Sequence, residues 1–254
     1  MYAPVFDSAR KKLHAVVTRE LALRIIAAAR RSELITFPKE SAVCAELGVS
    51  RTVLREAMKV LADKGLVEMR PRTGTKARPR SEWKYLDPDI LAWQAELTPD
   101  ARFLQDLCEV RLGIEPIACA FAAVRATQQE LDEIARRLMN REALPQDSAV
   151  EIIVDHDLEF LDAVVAASHN PFLMYLNVII REPFRNTLLY TFHSAATIAL
   201  ALKARRDLFK ALHRKDPVSA SKAAERAVGI AMLSVEEKIK AQNSPAPLHS
   251  QTNS

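Results

Sequence analysis

Two places in the 254-residue chain put chemistry-bearing side chains at telling spacings. Ser50-Arg51-Thr52, followed by Arg55, sets two guanidinium groups four residues apart, on one face of any helix they occupy. Arginines so placed can donate to guanine edges or to phosphates, and the two hydroxyls can donate to phosphate near the helix start. Further along, Arg72, Thr73 and Lys76 surround Gly74, whose missing side chain lets a backbone come close to a ligand. The other place is Asp155-His156-Asp157, where two carboxylates flank an imidazole, a set able to do acid/base or metal chemistry. Consecutive residues of a helix turn to different faces, however, so a solvated or core-edge histidine explains the triplet as simply.

The arginine pair needs a rigid helix held from behind, and the surrounding sequence supplies one. Apolar residues from Leu13 to Ile26 recur at helical spacing and predict a first helix over 12–31. After Ile35-Thr36-Phe37, Pro38 suits the first position of a short helix reaching Leu47, and Gly48 stops it. Ser50 can cap a third helix over 51–64 whose inward side is Val53, Leu54, Ala57, Val60 and Leu61, with Gly65 closing it. Leu66 to Met69 is β-prone, Arg70 to Lys76 carries the Pro and Gly of a tight reversal, and a second short strand follows. Helix, turn, helix and basic hairpin together predict a winged helix-turn-helix over 1–78.

Charge supports that placement. Residues 1–80 hold 17 Lys and Arg against 8 Asp and Glu, a net of +9, while the remainder holds 19 against 24, a net of −5. The basic end is where a polyanion such as double-stranded DNA binds. Five glycines in the whole chain leave little material for hairpins, so the rest is expected to be helical. Residues 79–99, with Trp83 and Tyr85 among prolines and polar residues, read as a linker and connecting helix. An all-α domain then spans 100–240, with a long helix starting near Asp100 and others over 127–141, 147–168, 171–189, 197–213 and 217–240, and 241–254 read as a disordered tail. In the first of these helices Phe103, Leu107, Val110, Ile114, Ile117 and Phe121 form an apolar stripe that must face a bundle core or a partner. Three scattered cysteines, no apolar leader and no charge-free membrane-length stretch point to a cytoplasmic protein.

Gly48-Val49-Ser50-Arg51-Thr52-Val53-Leu54-Arg55-Glu56-Ala57 and Gly65-Leu66-Val67 resemble the winged-helix signature of the GntR superfamily. The resemblance implies DNA contacts at Arg51, Thr52, Arg55 and the wing around Gly74. Two departures stand out. Ser41 occupies a position where the family often has a DNA-contacting arginine, leaving nearby Lys39 as a partial substitute, and Arg72 replaces the first wing glycine.

Residues 100–238 are similar to the helical ligand-binding domain of the FadR-type branch, through Glu109-Val110-Arg111-Leu112-Gly113-Ile114-Glu115-Pro116 and the stretch Asp157 to Pro171. The words Trp83-Lys84-Tyr85-Leu86-Asp87 and Ile90-Leu91-Ala92-Trp93 are similar to those of regulators of galactonate and related sugar-acid catabolism. In that branch one aspartate and three histidines commonly hold a divalent metal. Carried over, those positions are Asp157, Leu161, Arg205 and Ala227. Leucine and alanine offer no donor and arginine stays protonated, so neither metal nor other cofactor is expected.

The resemblance therefore implies a homodimer on a palindromic operator, controlled by a small carboxylate effector. Arg111 and Arg205 are candidates to bind that carboxylate in place of a metal, with Asp157 orienting Arg205 or accepting from effector hydroxyls. The competing reading is an Arg205–Asp157 salt bridge that only fills the vacated site. Two other classes stay open. A nucleoid-type protein would bind DNA without sequence preference, and a small helical metal-dependent enzyme would use the Asp155-His156-Asp157 triplet.

Overall fold

A computed structural model describes residues 5–70, 74–97, 101–145 and 147–243, in two compact units that divide at Asp100. The first unit begins with α1 (Val5–Arg30), which starts well before the expected Lys12. It buries Val17, Leu21, Ala22, Ile25 and Ile26 against α3 (Arg51–Asp63), which answers with Val53, Leu54, Ala57, Met58 and Leu61. Between them lies α2 (Glu40–Leu47). Gly48 ends it at φ +65°, a left-handed turn that a side chain disfavours.

Pro38 does not open α2, contrary to the expectation from its sequence. The backbone N–H of Phe37 donates to Thr75 at 2.9 Å and that of Ala77 donates to Ile35 at 2.7 Å. These bonds hold the chain extended up to Lys39, which serves as the N-cap without a side-chain bond. The same bonds add a third, short edge to the hairpin of β1 (Val67–Arg70) and β2 (Gly74–Ala77), which pair antiparallel from Val67–Ala77 to Arg70–Gly74. Pro71, Arg72 and Thr73, the wing tip, lie outside the described residues.

Residues 79–96 pack within this first unit. A 3₁₀ turn at Arg80–Glu82 leads to Trp83, whose indole N–H donates to the Arg78 carbonyl at 3.1 Å and whose ring stacks on Tyr85. Asp87 then caps α4 (Pro88–Glu96), with Pro88 in the first turn, where a missing N–H costs nothing. Lys64, at the end of α3, reaches Asp87 and Asp89 at 2.7 Å and sits over Trp93. The start of α4 is thereby tied to the end of α3.

The second unit holds six helices among the described residues: α5 (Ala101–Arg125), α6 (Gln128–Glu142), α7 (Val150–Ala166), α8 (Pro171–Thr191), α9 (Ala195–His213) and α10 (Pro217–Asn243). Thr127 and Glu130 close α6 with a reciprocal capping box, and Asn170 and Ser194 cap α8 and α9. Residues 241–243, expected to open a tail, belong to α10, and residues 244–254 lie outside the described residues.

The apolar stripe of α5 proves to be only partly core. Phe103 and Leu107 are buried, whereas Val110 and Ile117 are 47% and 50% exposed. The buried line is instead Leu104, Cys108, Arg111, Glu115, Ala118, Cys119 and Ala122. Small residues on this line let α10 pack closely along α5 through Val228, Ala231, Ala223 and Ala224. Val110 and Ile117 of the stripe are left facing outward.

Candidate DNA-reading face and buried charge cluster

In the first unit, the hydroxyl of Ser50 accepts the Val53 N–H at 3.3 Å and fixes where α3 begins. Since Val53, Leu54, Ala57, Met58 and Leu61 take the inner face, Arg51, Thr52, Arg55 and Lys59 are presented together to solvent. Gly74 opens β2 and Lys76 is exposed on it. Lys39 and Ser41 are also exposed, at the start of α2. Arg72 and Thr73 fall among the residues not described.

One partnership here has no sequence signal. Arg55 Nε donates to both oxygens of Glu40 at 3.1 Å, which ties the first residue of α2 to the outer face of α3. Both groups are largely exposed, so the pair adds little stability. It does hold the Arg55 guanidinium in place, and any other acceptor approaching that group competes with a carboxylate. Residues fifteen apart share no periodicity, so only the fold brings them together.

Inside the second unit, five charged side chains are buried: Arg111, Glu115, Arg141, Asp157 and Arg205. Asp157 is 0% exposed and Arg205 2%. Arg205 donates through Nη2 at 2.7 Å and Nε at 3.1 Å to the same Asp157 oxygen. Burial works to lower the pKa of Arg205, and the charge and hydrogen bonds of Asp157 outweigh it, so the guanidinium is held above its usual value. Arg111 donates to Glu115 at 2.6 Å, one turn along α5, and lays its guanidinium 3.5 Å from the centre of the Phe184 ring. The third arginine, Arg141, was not singled out from the sequence. Its Nε stands 3.9 Å from Asp157 Oδ1, too far for a hydrogen bond.

Three guanidiniums against two carboxylates leave one excess positive charge. Unsatisfied atoms sit on both sides: Arg111 Nη1, Arg141 Nε and Nη2, Glu115 Oε2 and Asp157 Oδ1 are buried without a hydrogen-bond partner. Burial pushes Arg141 below its usual pKa; Asp157 opposes that shift, and the nearby charges of Arg205 and Arg206 add to it. Such unmet donors and acceptors are costly unless something supplies their partners. Cys119, close by, is pushed up to about 12 by burial and so stays a neutral thiol.

A metal does not fit this cluster. Its members are three guanidiniums, which stay protonated, and two carboxylates, and among the described residues no group of three His, Cys, Asp or Glu side chains could hold an ion. The Asp155-His156-Asp157 triplet also separates. Asp155 turns to α8 and pairs with Arg185 at 2.7 Å, Asp157 turns inward to Arg205, and His156 Nδ1 is buried without a partner.

A winged helix whose recognition helix shows arginines outward, joined in one chain to a helical unit with a buried charge excess, defines a DNA-binding regulator with its own sensing domain. The comparisons agree. Residues 19–76 match the bacterial regulatory proteins of the gntR family, and residues 106–229 match the FCD domain. The galactonate operon transcriptional repressor of Escherichia coli K12 is 34% identical over 188 residues, covering 74% of this chain and 81% of that protein. The Uxu operon transcriptional regulator of the same strain is 31% identical over 144 residues, covering 55% and 52%. Among solved structures, one titled for Lar, which controls expression of the Listeria monocytogenes agr system, aligns with a TM-score of 0.58 at 16% identity, over 93% of this chain and 99% of that one. The chain belongs to the GntR family of transcription regulators and carries an FCD domain. Among the described residues no helix is long and apolar enough to cross a membrane.

Proposed function

We propose that this protein is a cytoplasmic repressor that binds a palindromic operator as a homodimer and changes its operator affinity when a small carboxylate metabolite of the sugar-acid class enters the helical unit. The buried charge excess carries this reading: three arginines against two carboxylates leave one positive charge for a further anion to balance. The likeness to the galactonate operon repressor supports the sugar-acid class and the repressor role.

On DNA, Arg51 reads a base edge, Arg55 exchanges Glu40 for a phosphate or base, and Ser50 and Thr52 serve phosphates at the helix start. Lys39 and, with the wing residues Arg72, Thr73 and Gly74, Lys76 contact the backbone. Arg51→Ala is expected to weaken operator binding by about 1 to 3 kcal/mol and to relax sequence preference. A competition assay at fixed salt measures both, and equal weakening on operator and random DNA would assign Arg51 to phosphate instead. The outward residues Val110, Ile117 and Val124 of α5 supply an apolar face for the second subunit.

In the helical unit, Arg111 and Arg205 hold the effector carboxylate and Asp157 accepts from its hydroxyls. Since Asp157 already occupies Arg205, the effector shares that guanidinium and does not replace its partner. Calorimetry with galactonate and gluconate is the test. Arg205→Ala is expected to weaken effector binding at least about tenfold, the size of one charged hydrogen bond. Unchanged affinity would reduce the Arg205–Asp157 pair to a structural salt bridge. By linkage, the effector that binds must shift operator affinity, and operator DNA must shift effector affinity by the same factor.

A further inference from the structure

A cavity of about 620 Å³ opens where the end of α6, the start of α7 and the start of α9 meet, and Arg141 forms part of its wall. That volume lies in the ordinary range of small-molecule sites. Its apolar wall comes from Ile153, Phe192, Ile198 and Leu202, and its polar wall from Ser148 and His193. Two features make it electropositive. Arg141 is only 4% exposed, and two of its three nitrogens are buried without a hydrogen-bond partner. Ala195, the first residue of the 19-residue helix α9, also lines the cavity and brings the positive end of the helix dipole to it. Glu142, the acidic group on the wall, is held by Arg206 at 2.5 Å and so does not cancel Arg141.

The geometry points to this cavity as the effector's seat, with Arg141 as a third guanidinium that binds its carboxylate beside Arg111 and Arg205, and the Ser148–His193 side reading hydroxyls on its chain. The inference rests on the reading of the protein as a carboxylate-responsive regulator and adds the binding residue and the entrance. Arg205 gives Nε and Nη2 to Asp157 and Arg111 gives Nε to Glu115, so each brings only part of its guanidinium to an effector. Arg141 is the buried guanidinium of the cluster without a hydrogen-bonded carboxylate. Ile153 and Leu202, on the cavity wall, stand one turn before Asp157 and Arg205 on their helices, so an anion in the cavity lies one turn from the charge cluster. Its charge is placed to pull Arg141 away from Asp157. A carboxylate bearing hydroxyls is favoured over a bare fatty acid because the cavity wall is mixed polar and apolar.

The test is calorimetry on the full-length protein with galactonate and gluconate, with the neutral alditols galactitol and glucitol as controls. Two variants probe different parts: Arg141→Met removes the guanidinium, and Ala199→Trp fills the cavity from an exposed wall position and leaves every charge in place. Operator binding and the circular-dichroism melt without effector, unchanged in both, show that each variant is folded in both units. The expected result is binding of an aldonate and not of the alditols by the wild type, with a loss of about 10- to 100-fold in Arg141→Met and a comparable loss in Ala199→Trp. If the wild type binds an aldonate and either variant binds it equally well, the cavity assignment is overturned while the carboxylate-responsive reading stands. If the wild type binds no aldonate, or binds the alditols equally, both fall.

Discussion

Asp157→Ala is expected to lower the stability of the helical unit by about 3 to 5 kcal/mol, the usual cost of deleting one partner of a buried ion pair. Asp157 is the only carboxylate hydrogen-bonded to Arg205 among the described residues, and it is the nearest charge to Arg141. Removing it leaves the buried guanidinium of Arg205 without its hydrogen-bonded carboxylate, and an arginine cannot shed its proton to escape. The neighbouring Asp155 makes an internal control. It also bonds an arginine, Arg185, but is 50% exposed, so Asp155→Ala should cost less than about 1 kcal/mol. Urea unfolding followed by circular dichroism measures both. Trp83 and Trp93 lie in the first unit, so tryptophan fluorescence tracks that unit, and the helical signal it does not track belongs to the second. Equal losses in the two variants would show that the cluster does not depend on Asp157.

This contrast also explains what sequence could reveal. The winged helix was legible because its parts are local: a capping serine, a stop glycine, an arginine pair on one face and a hairpin follow one another, and each acts within a few residues. Membership of the helical unit was legible as well, from helical periodicity and few glycines. The buried cluster was legible only in part. Arg111 and Glu115 have the spacing of an ordinary surface ion pair, and nothing local says they turn inward. Arg141 lies in the last turn of an otherwise polar helix, where a basic residue is expected in solvent. It is buried because α7 and α9 close over it, and that depends on residues far away in sequence. The α5 stripe, expected to face a bundle core or a partner, was legible only as a set, because which of its residues turn inward depends on α10. Large apolar residues attract the eye, but packing against α10 selects alanine and cysteine, whose small size sets the spacing of the helices. Pro38 misled because its position at a helix start is common, while the strand pairing of Phe37 with Thr75 overrode that preference.

Gly65→Ala is expected to cost the first unit about 2 to 5 kcal/mol and to weaken operator binding in proportion to the unfolded fraction. Gly65 sits at φ +79°, which alone disfavours a side chain. A Cβ there would also stand 2.5 Å from the carbonyl oxygen of Glu82. That oxygen belongs to backbone and cannot move cheaply. Trp83 is hydrogen-bonded to Arg78, Lys84 N–H donates to the Lys64 carbonyl at 3.1 Å, and the Lys64 side chain grips Asp87 and Asp89. Gly48→Ala separates the two costs, because Gly48 shares the positive φ but has nothing within 4 Å of the added carbon, so only the backbone strain of about 1 to 2 kcal/mol applies. Thermal unfolding followed by tryptophan fluorescence should therefore rank wild type above Gly48→Ala and Gly48→Ala well above Gly65→Ala. Equal melting of the two variants would mean that segment 78–87 gives way easily. In that case the end of the recognition helix is not held against the start of α4 as the hydrogen bonds and ion pairs require.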